Sequence, residues 1–309
     1  IKDNIPSDEI DIKEIVSIFW STKFTIILIT LIFAASSVFY ATSLPNFYKS
    51  EALLKLSDNQ NSGSSSLASS YGDLASRAGI SIPNEGNNQA EFAMKVMKSR
   101  SFLKHLLDSH DILPSLLAPK YYDASSKKLI LDSEIYNKDK GGWIREKPKY
   151  GDIIPSHLEV YETAFQAFSV SKDRDSGFIS IEFEHLSPVF AKKFLELVIL
   201  ELNNVVRLKD MNESMSSLDF LREQFSKTQE KDIRFSISKL IESQLNTHML
   251  ASVRKEYLVN EIEKPFIPEF KSSPSRAIIC ITITLIGGIF SLIFVLMRHF
   301  MRKSKLINN

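Results

Sequence analysis

Two stretches of this chain carry no charged side chain: residues 24–44, FTIILITLIFAASSVFYATSL, and residues 277–297, AIICITITLIGGIFSLIFVLM. Each would reach about 31 Å as an α-helix at 1.5 Å per residue, which matches the hydrocarbon thickness of a bilayer. Uncharged runs of this length near both ends of a chain are hard to place in a water-soluble fold, so both are expected to span a membrane. The first is too long for the apolar core of a signal peptide. It also follows Asp3, Asp8, Glu9, Asp11 and Glu14 rather than a basic segment. The numbering opens on Ile1, so an initiator methionine at least is expected to be missing from it.

The flanks orient the pair. Residues 298–309 hold Arg298, Arg302, Lys303 and Lys305 and no acid, and Lys23 directly precedes the first span. Positive flanks stay inside. On a chain of net charge +1, the charge is −2 over residues 1–23 and +4 over 298–309. That leaves −1 for the residues between the spans. The expected layout has a cytoplasmic segment 1–23, transmembrane helices 24–44 and 277–297, an exported domain 45–276 and a cytoplasmic tail 298–309. Ile12, Ile15, Val16 and Phe19, with Trp20 beside them, recur at helical steps. They suit either an interfacial amphipathic helix or an extension of the first span. Gly287 and Gly288 would let the membrane helices pack closely.

Composition narrows the exported domain's work. With 44% apolar and 24% charged residues over 309 positions, the chain is not a disordered one. A balance of 38 basic against 37 acidic residues gives no global field for nucleic acid. The lone Cys280 excludes a disulfide scaffold and a thiolate-clustered zinc site. The six histidines (His105, His110, His157, His185, His248 and His299) show no metal-binding helical spacing and read as solvated or core side chains. Neither a Gly-x-Ser-x-Gly elbow nor a phosphate-cradling loop is present. Tyr121, Tyr122 and Trp143 read as a loop packing its own aromatics ahead of a sugar platform. No catalytic residue, metal or cofactor is expected.

Tyr48, Ala52, Leu54 and Leu56 alternate with polar positions and predict a strand. Residues 57–89 are rich in Ser, Asn and Gly and read as a loop, with room for a short helix at 67–78. A single helix is expected over 90–109, presenting Phe92, Val96, Phe102, Leu103, Leu106 and Leu107, followed by an irregular segment 118–155. Phe168 and Val170 lead through a polar turn into Ile179, Ile181 and Phe183, a β-hairpin. From Pro188 to about Glu230 there is no internal proline or glycine, and Ser187 is placed to cap the helix. Val198, Leu202, Val205, Leu208, Met211, Met215 and Leu218 recur at steps of three or four, close to a coiled-coil seam. Ile233, Ile237, Leu240, Ile241 and Leu245 continue that pattern, so the arm, about 187–250, turns and comes back. A rod of roughly 65 Å cannot be covered by a base whose radius of gyration is about 17 Å. Identical copies are the simplest source of cover, and a homo-oligomer, as a bundle or ring, is expected. A strand over 257–262 returns the chain, and Pro265, Pro268 and Pro274 hold it extended up to Arg276.

Several of these stretches resemble the Wzz chain-length-determinant family of polysaccharide co-polymerases. The likeness lies in Glu9 to Ile15, Trp143-Ile-Arg145, Pro155-Ser156, Asn203 with Arg207, Leu240 to Gln244, Met249 to Ala251, Arg254, Tyr257, and the set Pro265, Pro268, Pro274 and Arg276. The resemblance implies an α+β exported domain with a long helical hairpin, in homo-oligomers of the bacterial inner membrane, with both termini cytoplasmic and the bulk periplasmic. It further implies a non-enzyme that sets the modal length of O-antigen, with a Wzy-type polymerase, lipid-linked polysaccharide and membrane lipids as partners. A co-polymerase for capsule or exopolysaccharide is the alternative. A two-span periplasmic ligand sensor is a third reading, disfavoured because the residues after the second span have no room for a signalling module.

Overall fold

The computed structural model describes residues 18–57, 85–140, 142–145, 151–163 and 165–307. The expected interfacial positions Ile12, Ile15 and Val16 and the helix at 67–78 lie outside the described residues. The chain divides into two compact units, Ile1–Asn46 with Ser272–Asn309, and Phe47–Lys271.

The first unit is a pair of helices, α1 (Lys23–Ser43) and a second over Arg276–Ile307, each long and apolar enough to cross a membrane. The second helix outruns the uncharged stretch, continuing to Ile307. Their contact centres on Gly287: a Cβ there would lie 2.5 Å from the Cβ of Phe33, so only a hydrogen fits. The ring of Phe33 meets that of Phe290 at 6.0 Å. Gly288 corrects the sequence reading, since a Cβ on it would meet nothing within 4 Å. Four hydroxyls along α1, those of Thr30, Ser37, Thr42 and Ser43, fold back onto carbonyls of the preceding turn, as Thr30 does onto Ile26 at 2.9 Å, which satisfies them within the helix.

The second unit is built on a four-stranded antiparallel sheet in the order β6-β7-β1-β8. β1 (Tyr48–Leu56) runs along the middle, flanked by β7 (Ile179–His185) and β8 (Val259–Glu263), with β6 (Phe168–Lys172) outside β7. Period-two alternation does what it should here. Ser50, Ala52 and Leu54 of β1 and Ile179, Ile181, Phe183 and His185 of β7 face inward, while the residues between them are only partly covered. The β6–β7 turn is closed by Asp173, whose carboxylate accepts from Asp175 N and Ser176 Oγ, and by Gly177 at φ +73°.

Between β1 and β6 the structure departs from the sequence reading. The helix expected over 90–109 is two: α2 (Glu85–Met97) and α3 (Arg100–Ser109). They part at Ser99, whose side chain accepts the Phe102 N–H at 3.1 Å and so starts a new helix. Phe92, placed on the apolar side by its spacing, is instead exposed. The segment read as irregular holds two small hairpins after a short helix α4 (Leu113–Leu117). These are β2 (Pro119–Asp123) with β3 (Lys128–Leu131), and β4 (Tyr136–Asn137) with β5 (Gly142–Trp143). Tyr136 and Trp143 pack edge to face at 5.2 Å, and Tyr48 meets Tyr122 at 6.2 Å, leaving Tyr121 exposed. A helix α5 (His157–Thr163) then precedes β6, and Arg145 pairs with its Glu159 while donating to the carbonyls of Asp152 and Ile153.

Candidate functional site: the helical arm and its anchorage

Two helices make the arm, α6 (Pro188–Lys227) and α7 (Lys231–Val253). At 40 residues, α6 is about 60 Å long. It begins where the sequence places it, with the Ser187 hydroxyl accepting Phe190 N–H at 3.2 Å and Pro188 in the first turn. It ends at Lys227, three residues before the expected Glu230. The chain reverses over Thr228–Glu230, and α7 then runs to Val253 rather than to about 250.

The first third of α6 belongs to the base. Phe194 stacks on Phe183 at 4.1 Å between ring centres and meets Phe168 at 5.8 Å, and Leu195, Val198 and Leu202 are fully buried there. Three side chains then lock the arm to the base. Asn203, 3% exposed, accepts from Leu258 N at 2.7 Å and Val259 N at 3.0 Å, and donates to the carbonyls of Ile199 and Val259. One amide thus satisfies the backbone where β8 begins. Tyr257 donates its hydroxyl to Asp210 at 2.8 Å, and burial holds the Asp210 carboxyl above its ordinary value, against that hydrogen bond. Because Tyr257 serves here as a side-chain anchor, the return strand starts at Val259, two residues later than expected.

Glu201 is the third. Its carboxylate meets His105 Nε2 of α3 at 2.8 Å and His110 Nε2 at 3.1 Å. Burial raises its pKa, but the two imidazole bonds outweigh that and leave it lowered. Sequence reading missed this cluster because histidines five apart share no helical face; His110 reaches Glu201 only because α3 has ended at Ser109. His185 is keyed differently. Nδ1 accepts from Ser187 N at 3.1 Å and Nε2 donates to the Ser115 carbonyl at 2.9 Å, which fixes the neutral ring. Burial, opposed by those backbone bonds, pushes its pKa down to about 4. Among the described residues no three His, Cys, Asp or Glu side chains are grouped to hold a metal ion.

Farther out, α7 covers one side of α6. Leu218 and Ile237 are buried in the hairpin, and Ser214 Oγ lies 3.2 Å from His248 Nδ1. The Arg234 guanidinium stacks on Phe225 at 4.2 Å near the turn. The seven residues expected on one assembly face therefore divide. Val198, Leu202 and Leu218 are enclosed by their own chain, and Val205 and Met211 pack partly against the base. Leu208, 51% exposed, and Met215, 48%, remain open. The correction has a plain cause: α7 and the sheet cover a face that the spacing alone left bare. The exposed apolar surface also includes Leu240 and Leu245 of the returning pattern, and Phe220 and Phe235, which that pattern did not include.

Beyond β8, Pro265 and Pro268 are buried, and the chain from Lys264 to Lys271 is neither helix nor strand and bends at Glu269 and Phe270. Pro274 and Arg276 lie in the unit of the two apolar helices. There Arg276 Nη2 donates to Asn46 Oδ1 at 3.0 Å and to the Leu44 carbonyl at 3.4 Å, tying together the ends of the two apolar helices.

No curated protein matches the sequence. Among solved structures, a full-length bacterial polysaccharide co-polymerase aligns at TM-score 0.40 and 14% identity, covering 95% of this chain and 99% of that one. A fragment of WzzB, a polysaccharide co-polymerase from Salmonella Typhimurium, aligns at TM-score 0.32 and 12% identity, over 74% of this chain and 100% of that one. Residues 8–110, running from the N-terminal segment through α1 and β1 to the end of α3, match the model of the Wzz family, chain length determinant protein, and over that third of the chain the resemblance read from the sequence is borne out.

Proposed function

We propose that this chain regulates the modal length of lipopolysaccharide O-antigen, acting as a homo-oligomeric scaffold on a Wzy-type polymerase. The match of residues 8–110 to the chain-length-determinant family carries this reading. In it, both termini are cytoplasmic, the Phe47–Lys271 unit is periplasmic, and the growing polymer stays on its lipid carrier. The scaffold acts by geometry and contributes no catalytic group. Leu208, Met215, Phe220 and Phe235 would be covered by neighbouring copies, since apolar side chains in water along so long a hairpin favour association. Arm length and copy number would then set how long a polymer remains with the polymerase.

The test is genetic and read on a gel. Deleting the gene should turn a banded surface-lipopolysaccharide ladder with a preferred length into an unregulated one, and expression of the chain should restore the mode. An unchanged ladder overturns the reading. A ladder that stays intact while capsule or exopolysaccharide changes size moves the same scaffold to that polymer.

A further inference from the structure

The segment before the second membrane helix presents its side chains in an order that water alone does not select. Pro265 and Pro268 are buried, while Phe266, Ile267 and Phe270 point outward, Phe270 at 84% exposure. A loop free to choose would turn its phenylalanines in and its prolines out. This one is held: the Ser50 hydroxyl, fully buried on β1, donates to the Phe266 carbonyl at 2.7 Å, and the prolines lock φ on either side of Phe266 and Ile267.

Two covalent tethers fix where such a lip can be. Phe270 stands six residues before Arg276, the first residue of the second apolar helix, and an extended chain of that length reaches at most about 20 Å. Ser50, which holds Phe266, stands six residues after Leu44, the cap of the first apolar helix, with the same limit of about 20 Å. Both tethers keep the lip close to the surface of whatever membrane the helices span. We propose that Phe266, Ile267 and Phe270 insert into the headgroup layer of that bilayer and seat the exported unit on it. Lys264 and Lys271 flank the lip, but Glu263 and Glu269 balance them. Apolar insertion rather than attraction to anionic lipid therefore carries the contact, and it is insensitive to lipid charge. The inference goes beyond chain-length control, resting only on the membrane reading of the two helices.

The experiment uses the full chain in lipid vesicles. Trp20 and Trp143 are the only tryptophans, so a W20F/W143F background carrying F270W reports from the lip alone. In phosphatidylcholine vesicles with brominated acyl chains, the F270W emission should be blue-shifted and fall by roughly half. The loss should be the same when about a third of the lipid is phosphatidylglycerol. F270W emission characteristic of water and unquenched by bromine overturns the proposal. So does blue-shifted but unquenched emission, which means that a second copy covers the lip, and so does quenching that appears only with anionic lipid. If loss of Trp143 from its packing on Tyr136 prevents folding, a nitroxide on F270C in a C280S chain gives the same reading: relaxation by oxygen supports insertion, and relaxation by a water-soluble nickel complex refutes it. Any failure here leaves the polysaccharide ladder untouched, so the two readings fail separately.

Discussion

Asn203→Ala tests how the arm is held to the base. Asn203 is buried at the point where α6 leaves the sheet, and its Oδ1 takes both Leu258 N–H and Val259 N–H. Alanine leaves two buried donors without an acceptor, each costing about 1–3 kcal/mol, and opens a small void besides. The expected loss is about 3 kcal/mol. For a unit of this size it would lower Tm by about 6–12 °C. Asn203→Asp keeps the acceptor but replaces the amide that donates to the Ile199 and Val259 carbonyls with a carboxylate facing them, so it should cost at least as much. Asn212→Ala, on the exposed side of the same helix, should change little. Thermal unfolding of the detergent-solubilised chain, followed by circular dichroism, reads all three. An Asn203→Ala loss below about 1 kcal/mol would refute the reasoning, because it would mean that water or a backbone shift satisfies the strand as well as the amide does.

Further outcomes follow from other contacts. Gly287→Leu would drive a side chain into Phe33 and should push the two apolar helices apart, seen as loss of cross-linking between cysteines placed at their facing positions; Gly288→Leu, with open space at its Cβ, should retain it. His185 is held neutral, so its contribution to stability is complete above the unfolded value near 6.5 and is lost as pH falls from there toward 4. Urea titrations at several pH values should show about 3 kcal/mol of acid-linked loss that is absent in His185→Gln. Leu208→Glu puts a charge on the open face of the arm and should shift the polysaccharide mode with the fold intact. Leu218→Glu puts one inside the α6–α7 hairpin and should lower Tm instead.

The two long apolar helices, the central strand and the arm are legible because each rests on a local signal that tertiary packing does not override. These signals are an uncharged run of bilayer length, strict alternation, and an N-cap followed by forty residues without a breaker. The break at Ser99 was hidden because an unbroken apolar rhythm passes over it, and a single side-chain cap decided the matter. The small hairpins of 119–143 were hidden because strands of two to five residues carry almost no period. The arm's seam was read with the right spacing but the wrong cover: period alone cannot tell a residue that meets its own return helix, as Leu218 does, from one left open, as Leu208 is. The Glu201 cluster required knowing where α3 stops. Asn203 could be noticed as a polar residue inside an apolar rhythm, but its four partners lie mostly some 55 residues away in sequence.

Everything proposed for the arm depends on its open apolar face being covered by further copies of the chain. The most direct measurement is the mass of the particle in a lipid nanodisc, by native mass spectrometry or by counting subunits in electron images. The account predicts a closed assembly with one fixed number of copies greater than one, lost on Leu208→Glu. A wild-type particle holding a single copy would contradict it.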